Sequence, residues 1–382
     1  MVDLHTNRPS VYLDQWVWIF LARAAAGKPR DPQDVAVLAA VRKASAAGVA
    51  FPLSSTHYIE TTKITDHKKR MDLVGVMAPV SHCRTLIARH LLIRNQLLTA
   101  MHETLGRPMF RPVPPEPLGV GVHWAFVGEQ HQLNLHIPDD APVTADEIMP
   151  PEVLCRMTQW AEAQFLTGPK DDDIETLRNN YGYKPETSAE LTAERLEWET
   201  IYRELLKDDP ISPAELRVRV QAREVAHEYV DLLARALQEY GLSIVRLFGG
   251  TDDGAARGQA VAFFDSMPSV HIAVDMKAAL FRDTSRHWTM NDVHDIDFLS
   301  MAIPYCHVVV ADKAAVSSVH QSGADVRCGT TVTRRMADLL DLLPPLEEVT
   351  RAMGGDHSGW DWCAPGVGFD PLSPDQFFGV KD

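Results

Sequence analysis

The sequence predicts an α/β fold, a central and mostly parallel sheet flanked by helices, carrying a large and mainly helical insertion. Short apolar runs that end in an acid occur near both ends of the chain, VYLD at residues 11–14 and VVVAD at 308–312. Each leads into a helical pattern, the strand–helix succession of a parallel sheet. Between them lies a long acidic stretch whose periodicity is mostly that of helices. The expected core therefore comes in two parts, 9–105 and 259–343, with the insertion at 106–258 and an irregular tail at 344–382.

Val11 to Asp14 reads as a buried strand running into a carboxylate. A helix follows over Gln15 to Ala26, with Trp16, Ile19, Phe20 and Arg23 at near-3.6 spacing, broken by Gly27, Pro29 and Pro32. Asp34 to Ala47 is a second helix, stopped by Gly48. Val49 to Leu53 reads as a buried strand, after which Ser54 or Ser55 caps a helix holding His57, Glu60, Lys63 and His67 along one stripe. Ser81 to Glu103 reads as one long helix with Arg84, Arg89 and Arg94.

From Gly106 to Thr144 prolines give way to alternation (Val120, Val122, Trp124, Phe126), which suits a hairpin or irregular lobe. Pro150 to Pro210 is helical and acidic, and Glu215 to Tyr240 is another helix. Gly249 to Gly258 reads as a loop. Helices near Gln259 to Asp265 and Ile272 to Phe281 then lead to Asn291–Asp312. That last stretch joins an acid-rich helix start, an apolar helical face (Val293, Ile296, Leu299, Ile303) and a strand that runs into Asp312. Lys313 to Gln321 suits a helix, Val326 to Cys328 a short strand, and Thr333 to Leu343 an amphipathic helix.

A net charge of −15 argues against general nucleic-acid binding, so any polyanion would have to meet a local basic patch. The sequence has no apolar run long enough to span a membrane, and its start lacks the pattern of a secretory signal. The five cysteines, odd in number and without CxxC spacing, read as reduced thiols of a cytoplasmic protein.

The acids at strand and helix ends, Asp14, Glu60, Asp295 or Asp297, and Asp312, are the candidates for chemistry. Carboxylates converging at the carboxyl edge of a parallel sheet repel one another unless a cation neutralises them. Oxygen ligands without a histidine or cysteine cluster favour Mg²⁺ or Mn²⁺, ions suited to phosphodiester hydrolysis. Asp295 and Asp297 stand about 200° apart around a helix, so at most one of them faces the group. Asp292 shares the face of Asp295, or serves as a helix-start acid. Of the remaining polar residues, His57, Lys68, Lys69 and Arg70 are candidates for phosphate contact, with a packing histidine and a solvated helix end as the plainer readings. Trp16 and Trp18 suit base stacking less well than core packing.

VYLDQWVWI, FPLSSTHYIE and NDVHDIDFLSMAIPYCHVVVAD resemble, in this order, the opening strand, the second strand and helix, and the carboxy-terminal signature of the PIN-like ribonuclease family. The resemblance covers residues 9 to 80 and 265 to 330. It implies a metal-dependent nuclease with RNA favoured over DNA, with Asp14, Glu60, Asp295 and Asp312 as metal ligands. Asp295 is the third ligand by the family pattern and Asp297 the alternative. It also raises a toxin or defence role. The chain departs from the family in its helical middle, which inherits no role, and at Ala311, where members often place Thr or Ser. Outside this class stand two rivals. A phosphatase of the haloacid-dehalogenase type needs an Asp at position 16, which is Trp16. A non-catalytic PIN-like scaffold would bind a protein partner or inhibitor through the acidic middle. A homo-oligomer stays open.

Overall fold

The computed structural model describes residues 4–6, 8–129, 134–135, 143–144, 149–206, 211–250, 254–283, 286–352, 368–371, 373 and 376. Its centre is a three-stranded parallel sheet of β1 (Val11–Leu13), β6 (Val308–Val310) and β7 (Thr331–Thr333), in the order β1–β6–β7. Val11 faces Val308 and Leu13 faces Val310 in register, and Val308 in turn faces Thr331.

On the other side of β1, the extended segment 49–53 forms a parallel bridge between Ser10 and Ala50 and another between Leu53 and Thr85. The Val11 N–H donates to the Ala50 carbonyl at 2.8 Å, and the Leu86 N–H to the Leu53 carbonyl at 2.8 Å. This brings in β2 (Arg84–Leu86), which pairs antiparallel with β3 (Leu118–Val120). The short pair β4 (Asn134–Leu135) and β5 (Val143–Thr144) stands apart as a hairpin. The chain thus lays strands outward from β1 on one side and returns late to lay β6 and β7 on the other.

Alternation along the strands divides the core in two. Val11, Leu13, Val308 and Val310 join Trp18, Leu21, Val37, Val41 and Phe51 on one face. Tyr12, Val309 and Val332 join Ile296, Leu299 and Ile303 of the helix Met290–Tyr305 and Val270 and Val274 of the helix Pro268–Arg282 on the other. β1 and β6 are buried throughout, as strands covered on both faces must be. Around this small sheet the chain is mostly helical, and among the described residues no helix is long and apolar enough to cross a membrane.

Several elements differ from their sequence reading. Residues 84–86 are a strand, because the preceding helix His67–Ser81 ends at His82 in the left-handed conformation (φ 53°) and the next helix starts only at Arg89. The helix Ser55–Thr62 ends before Lys63, and His67 opens a new one, so the four residues share no stripe. Gly121–Phe126 is a helix rather than alternating strand. The helix Gly254–Asp265 begins inside the expected loop. Ala324–Cys328 is a helical turn between Gly323 and Gly329, both at positive φ, and the strand lies beyond it at β7; the helix expected over Thr333–Leu343 is present only as a 3-10 turn, Met336–Asp338, and the short helix Leu339–Leu342. Cys83, Cys306 and Cys328 are free, but Cys155 is disulfide-bonded, which corrects the expectation of reduced thiols at that position. Cys363 lies outside the described residues.

The insertion is fastened by buried and half-buried ions. Its helices include Glu186–Leu206 and Pro213–Glu224, the latter continuing through a π-helical turn, Val225–Tyr229, into Val230–Glu239. Lys277 of the core donates to Glu199 at 2.8 Å and also to Glu224, while Arg223 donates to Glu199 at 2.5 Å. Arg195 donates to Glu228 at 2.8 Å and grips Asp297 with two bonds of 2.6 and 2.8 Å. Arg89 donates to the Tyr229 hydroxyl at 2.8 Å and stands 3.7 Å from Glu228. Arg89, Arg195, Arg223 and Lys277 thus face Glu199, Glu224, Glu228 and Asp297 in a charge-balanced set. Breaking such a set leaves an uncompensated buried charge. Lys277→Met should therefore lower stability by about 3–5 kcal/mol, read by urea unfolding; an unchanged midpoint and slope would mean that the network contributes nothing to the fold.

Candidate functional site

Two acids arrive at one edge because their strands are parallel neighbours. Asp14 follows β1 and Asp312 lies two residues beyond β6, and the Asp14 N–H donates to the Val310 carbonyl at 2.9 Å. Both acids begin helices. The Asp14 carboxylate accepts from the Gln15 N–H at 2.5 Å, capping the helix Gln15–Ala25. Asp312 Oδ1 accepts from the Ala314 and Ala315 N–H groups at 2.7 and 2.8 Å, capping Lys313–Ser322. A carboxylate that caps a helix is fixed in direction and stabilised by the first turn. This edge, where strands are added first on one side of β1 and later on the other, is the switch point at which open α/β sheets bind ligands.

Glu60 comes to the same region on the helix Ser55–Thr62, which follows the 49–53 segment, and Asp295 from the second turn of Met290–Tyr305. Their electrostatics tie the four together. Burial pushes the Asp14 carboxyl up to about 7, helped by the charges of Glu60 and Asp312 and opposed by the N–H groups of Gln15 and Asp312. Burial, then Asp312, Asp14, Asp292 and Glu60, pushes Asp295 up to about 9. Burial also raises Glu60, with Lys63 working against it. Among the described residues no three His, Cys, Asp or Glu side chains close into a ready-made metal cage. The acids share a field without yet being drawn together.

Other candidates have different occupations. Asp297 faces away from the group, held by Arg195, and although burial works against its ionisation, Arg195 and Arg89 bring it to about 2. It is an ion-pair residue and not a metal ligand. Asp292 is a capping acid: its Oδ2 accepts from the Thr289 N–H at 2.8 Å and the Thr289 hydroxyl at 2.7 Å, and Arg286 pairs with it. His57 is a packing histidine, buried between the Leu13 carbonyl, to which Nε2 donates at 2.8 Å, and the Ser54 N–H, which donates to Nδ1 at 3.0 Å. Burial brings it down to about 4 against the pull of Leu13, so it stays neutral and takes no substrate phosphate. Arg70 is buried too and spends its guanidinium on the carbonyls of Ile64 and Pro169, at 2.8 and 2.5 Å. Lys68 and Lys69 are exposed at a helix start, with Lys69 3.6 Å from Asp66, as at a solvated helix end. Trp18 is core, as packing implied.

Two features near the acids escaped the sequence reading. His294, next to Asp295, meets the Lys63 ammonium at 3.0 Å, and burial together with Lys63 lowers its pKa. A cavity of about 470 Å³ opens between core and insertion, lined by Ser55, Thr56 and His294 on one side and by Thr187, Leu191 and Arg195 on the other. Only the adjacency of His294 to Asp295 hinted at the first, and nothing local hinted at the second.

A raised carboxyl pKa makes the folded state hold a proton that the unfolded chain has lost, so stability falls as pH rises towards the folded value. In the metal-free protein these acids should therefore cost stability progressively between about pH 4 and 9. Asp295→Asn should unfold at a higher temperature than the wild type, by a gap that widens over that range in thermal melts. A gap that stays constant with pH would show that Asp295 does not carry the mutual repulsion.

Compared with protein-family models, with curated proteins and with solved structures, the chain matches none of them.

Proposed function

We propose that the protein is a metal-dependent nuclease of PIN-like type, acting on phosphodiester bonds and on RNA in preference to DNA. The observation that carries this reading is the delivery of Asp14 and Asp312 to one edge by adjacent parallel strands, at the point where strand order reverses. The electrostatic coupling of Glu60 and Asp295 to both supports it. Three half-buried carboxyls that resist ionisation, Asp14, Glu60 and Asp295, with Asp312 beside them, fit a divalent cation, because positive charge removes the penalty that burial and repulsion impose. Asp14, Glu60, Asp295 and Asp312 would hold Mg²⁺ or Mn²⁺ after side-chain rotation. Bound there, the cation supplies polarisation of the phosphate and a more acidic water.

The chain's own residues supply orientation. The helix-capping bonds aim the Asp14 and Asp312 carboxylates, and the Asp312 Oδ2 is left over by the bonds to Oδ1. The Arg195 grip on Asp297 turns the opposite side of that helix, with Asp295, towards the group. For substrate phosphate, a cleft of about 300 Å³ beside the helix capped by Asp312 offers Lys313, Ser317 and Gln321, with Asp283 and the Asp292-paired Arg286 also in its wall. It replaces Lys68 to Arg70 as the basic patch of this reading. The second reading, a non-catalytic scaffold, is favoured by one observation, the lack of a closed carboxylate cage among the described residues.

Cleavage of single-stranded RNA and DNA with Mg²⁺ or Mn²⁺ separates the two. The wild type should cut RNA only with the metal, and Asp14→Asn and Asp312→Asn should each lose on the order of 100-fold or more while staying folded. Equal trace activity in all three proteins would exclude the nuclease.

A further inference from the structure

We propose that the outer face of the helix Glu186–Leu206 is a docking surface for a basic amphipathic helix of a partner protein. A surface helix usually turns its apolar residues inward and its charges outward, and this one departs from that pattern by carrying ions on its inner side and apolar residues on an outer stripe. Inward it sends Arg195 and Glu199 into the buried ion network, with Leu196, Tyr202 and Leu206 only partly buried against the core. Outward it shows Leu191, Trp198, Ile201 and Leu205, which are 57%, 43%, 44% and 71% exposed, with one side of the Trp198 ring already against His227 at 4.8 Å between centroids. Leu191, Trp198 and Leu205 are seven residues apart and Ile201 falls three after Trp198, the a and d positions of a heptad. An exposed apolar stripe in that register is the seam on which a second helix packs.

Charge selects the occupant. Glu190, Glu197 and Glu204 repeat at the same seven-residue interval along one edge of the stripe, and Glu194 occupies its remaining d position. Glu190, Glu194 and Glu197 are exposed, and among the described residues none of the three makes an ion pair. Edge charges of a helix seam set partner choice, so lysines or arginines are required opposite. A second copy of the chain would bring the same glutamates against one another, in a protein of net charge −15. Leu191 also lines the 470 Å³ cavity with His294, so a docked helix would lie at the mouth of the cleft between core and insertion. The binding itself does not rest on the nuclease reading.

A displayed library of 21-residue helices tests this, with leucine fixed at a and d and the flanking positions randomised. Selection is against the full chain, and selected peptides are then measured on Leu191→Glu/Leu205→Glu and on Glu190→Lys/Glu197→Lys. Selected sequences should carry Lys or Arg at the flanking positions and bind the first variant at least about tenfold more weakly. Selection against the second variant should shift the flanks towards Asp and Glu. Neutral or acidic flanks on the wild type, binding indifferent to both variants, or no binders at all would overturn the proposal. So would a concentration-dependent dimer of the chain abolished by Leu191→Glu/Leu205→Glu, which would make the occupant a second copy.

Discussion

The pairing of β1 with β6 is the contact on which the rest depends. It joins Val11 to Val308, residues from opposite ends of the chain, and no local interaction can substitute for it. Closing so long a loop costs entropy that grows only slowly with length, so a large insertion is tolerable once the strands have met. What holds the closure is apolar. Three valines of β6 and the Val-Tyr-Leu of β1 are buried on both faces of the sheet, and the two core clusters meet across them. The carboxylates of Asp14 and Asp312 are then placed by the backbone, with no freedom to choose another edge.

The helical middle is more than a spacer. Its attachment runs through Arg195, Arg223, Glu199, Glu224 and Glu228 to Arg89, Lys277 and Asp297 of the core. Such an interface selects geometry more than it adds stability, because desolvation offsets much of the attraction between the ions. One consequence is directional. The helix Met290–Tyr305 is held on one side by the insertion and carries Asp295 on the other, so the middle of the chain helps to set how the acid group is presented. The same arrangement sends Arg195 and Glu199 of the insertion helix inward and leaves Leu191, Trp198, Ile201 and Leu205 largely outside.

What could be read from the sequence was what is local. Asp14 and Asp312 follow short apolar runs, and both strands lie where those runs predict them. The geometry of a helix alone said that Asp295 and Asp297 cannot both face one point, but the partner that claims Asp297 is Arg195, 102 residues away, and no pattern announces it. Arg70 misled for a similar reason: beside Lys68 and Lys69 it looks like part of a basic patch, while the carbonyl that buries it belongs to Pro169. β2 was missed because three residues are too few to show a period, and the apolar spacing beyond them belongs to the next helix. The Cys155 disulfide was hidden by spacing that matches no motif.

The late arrival of β6 also matters while the chain is being made. Asp14 and Glu60 belong to the first part synthesised, and 235 residues separate Glu60 from Asp295. At about 5–20 residues per second, the ribosome takes on the order of 10 to 50 s to cross that gap. Throughout it one flank of β1 has no neighbour, an open strand edge of the kind that invites pairing with another chain. The emerging protein holds half of its acids and an unguarded edge, and a chaperone covering that edge would protect the nascent chain until its last third appears.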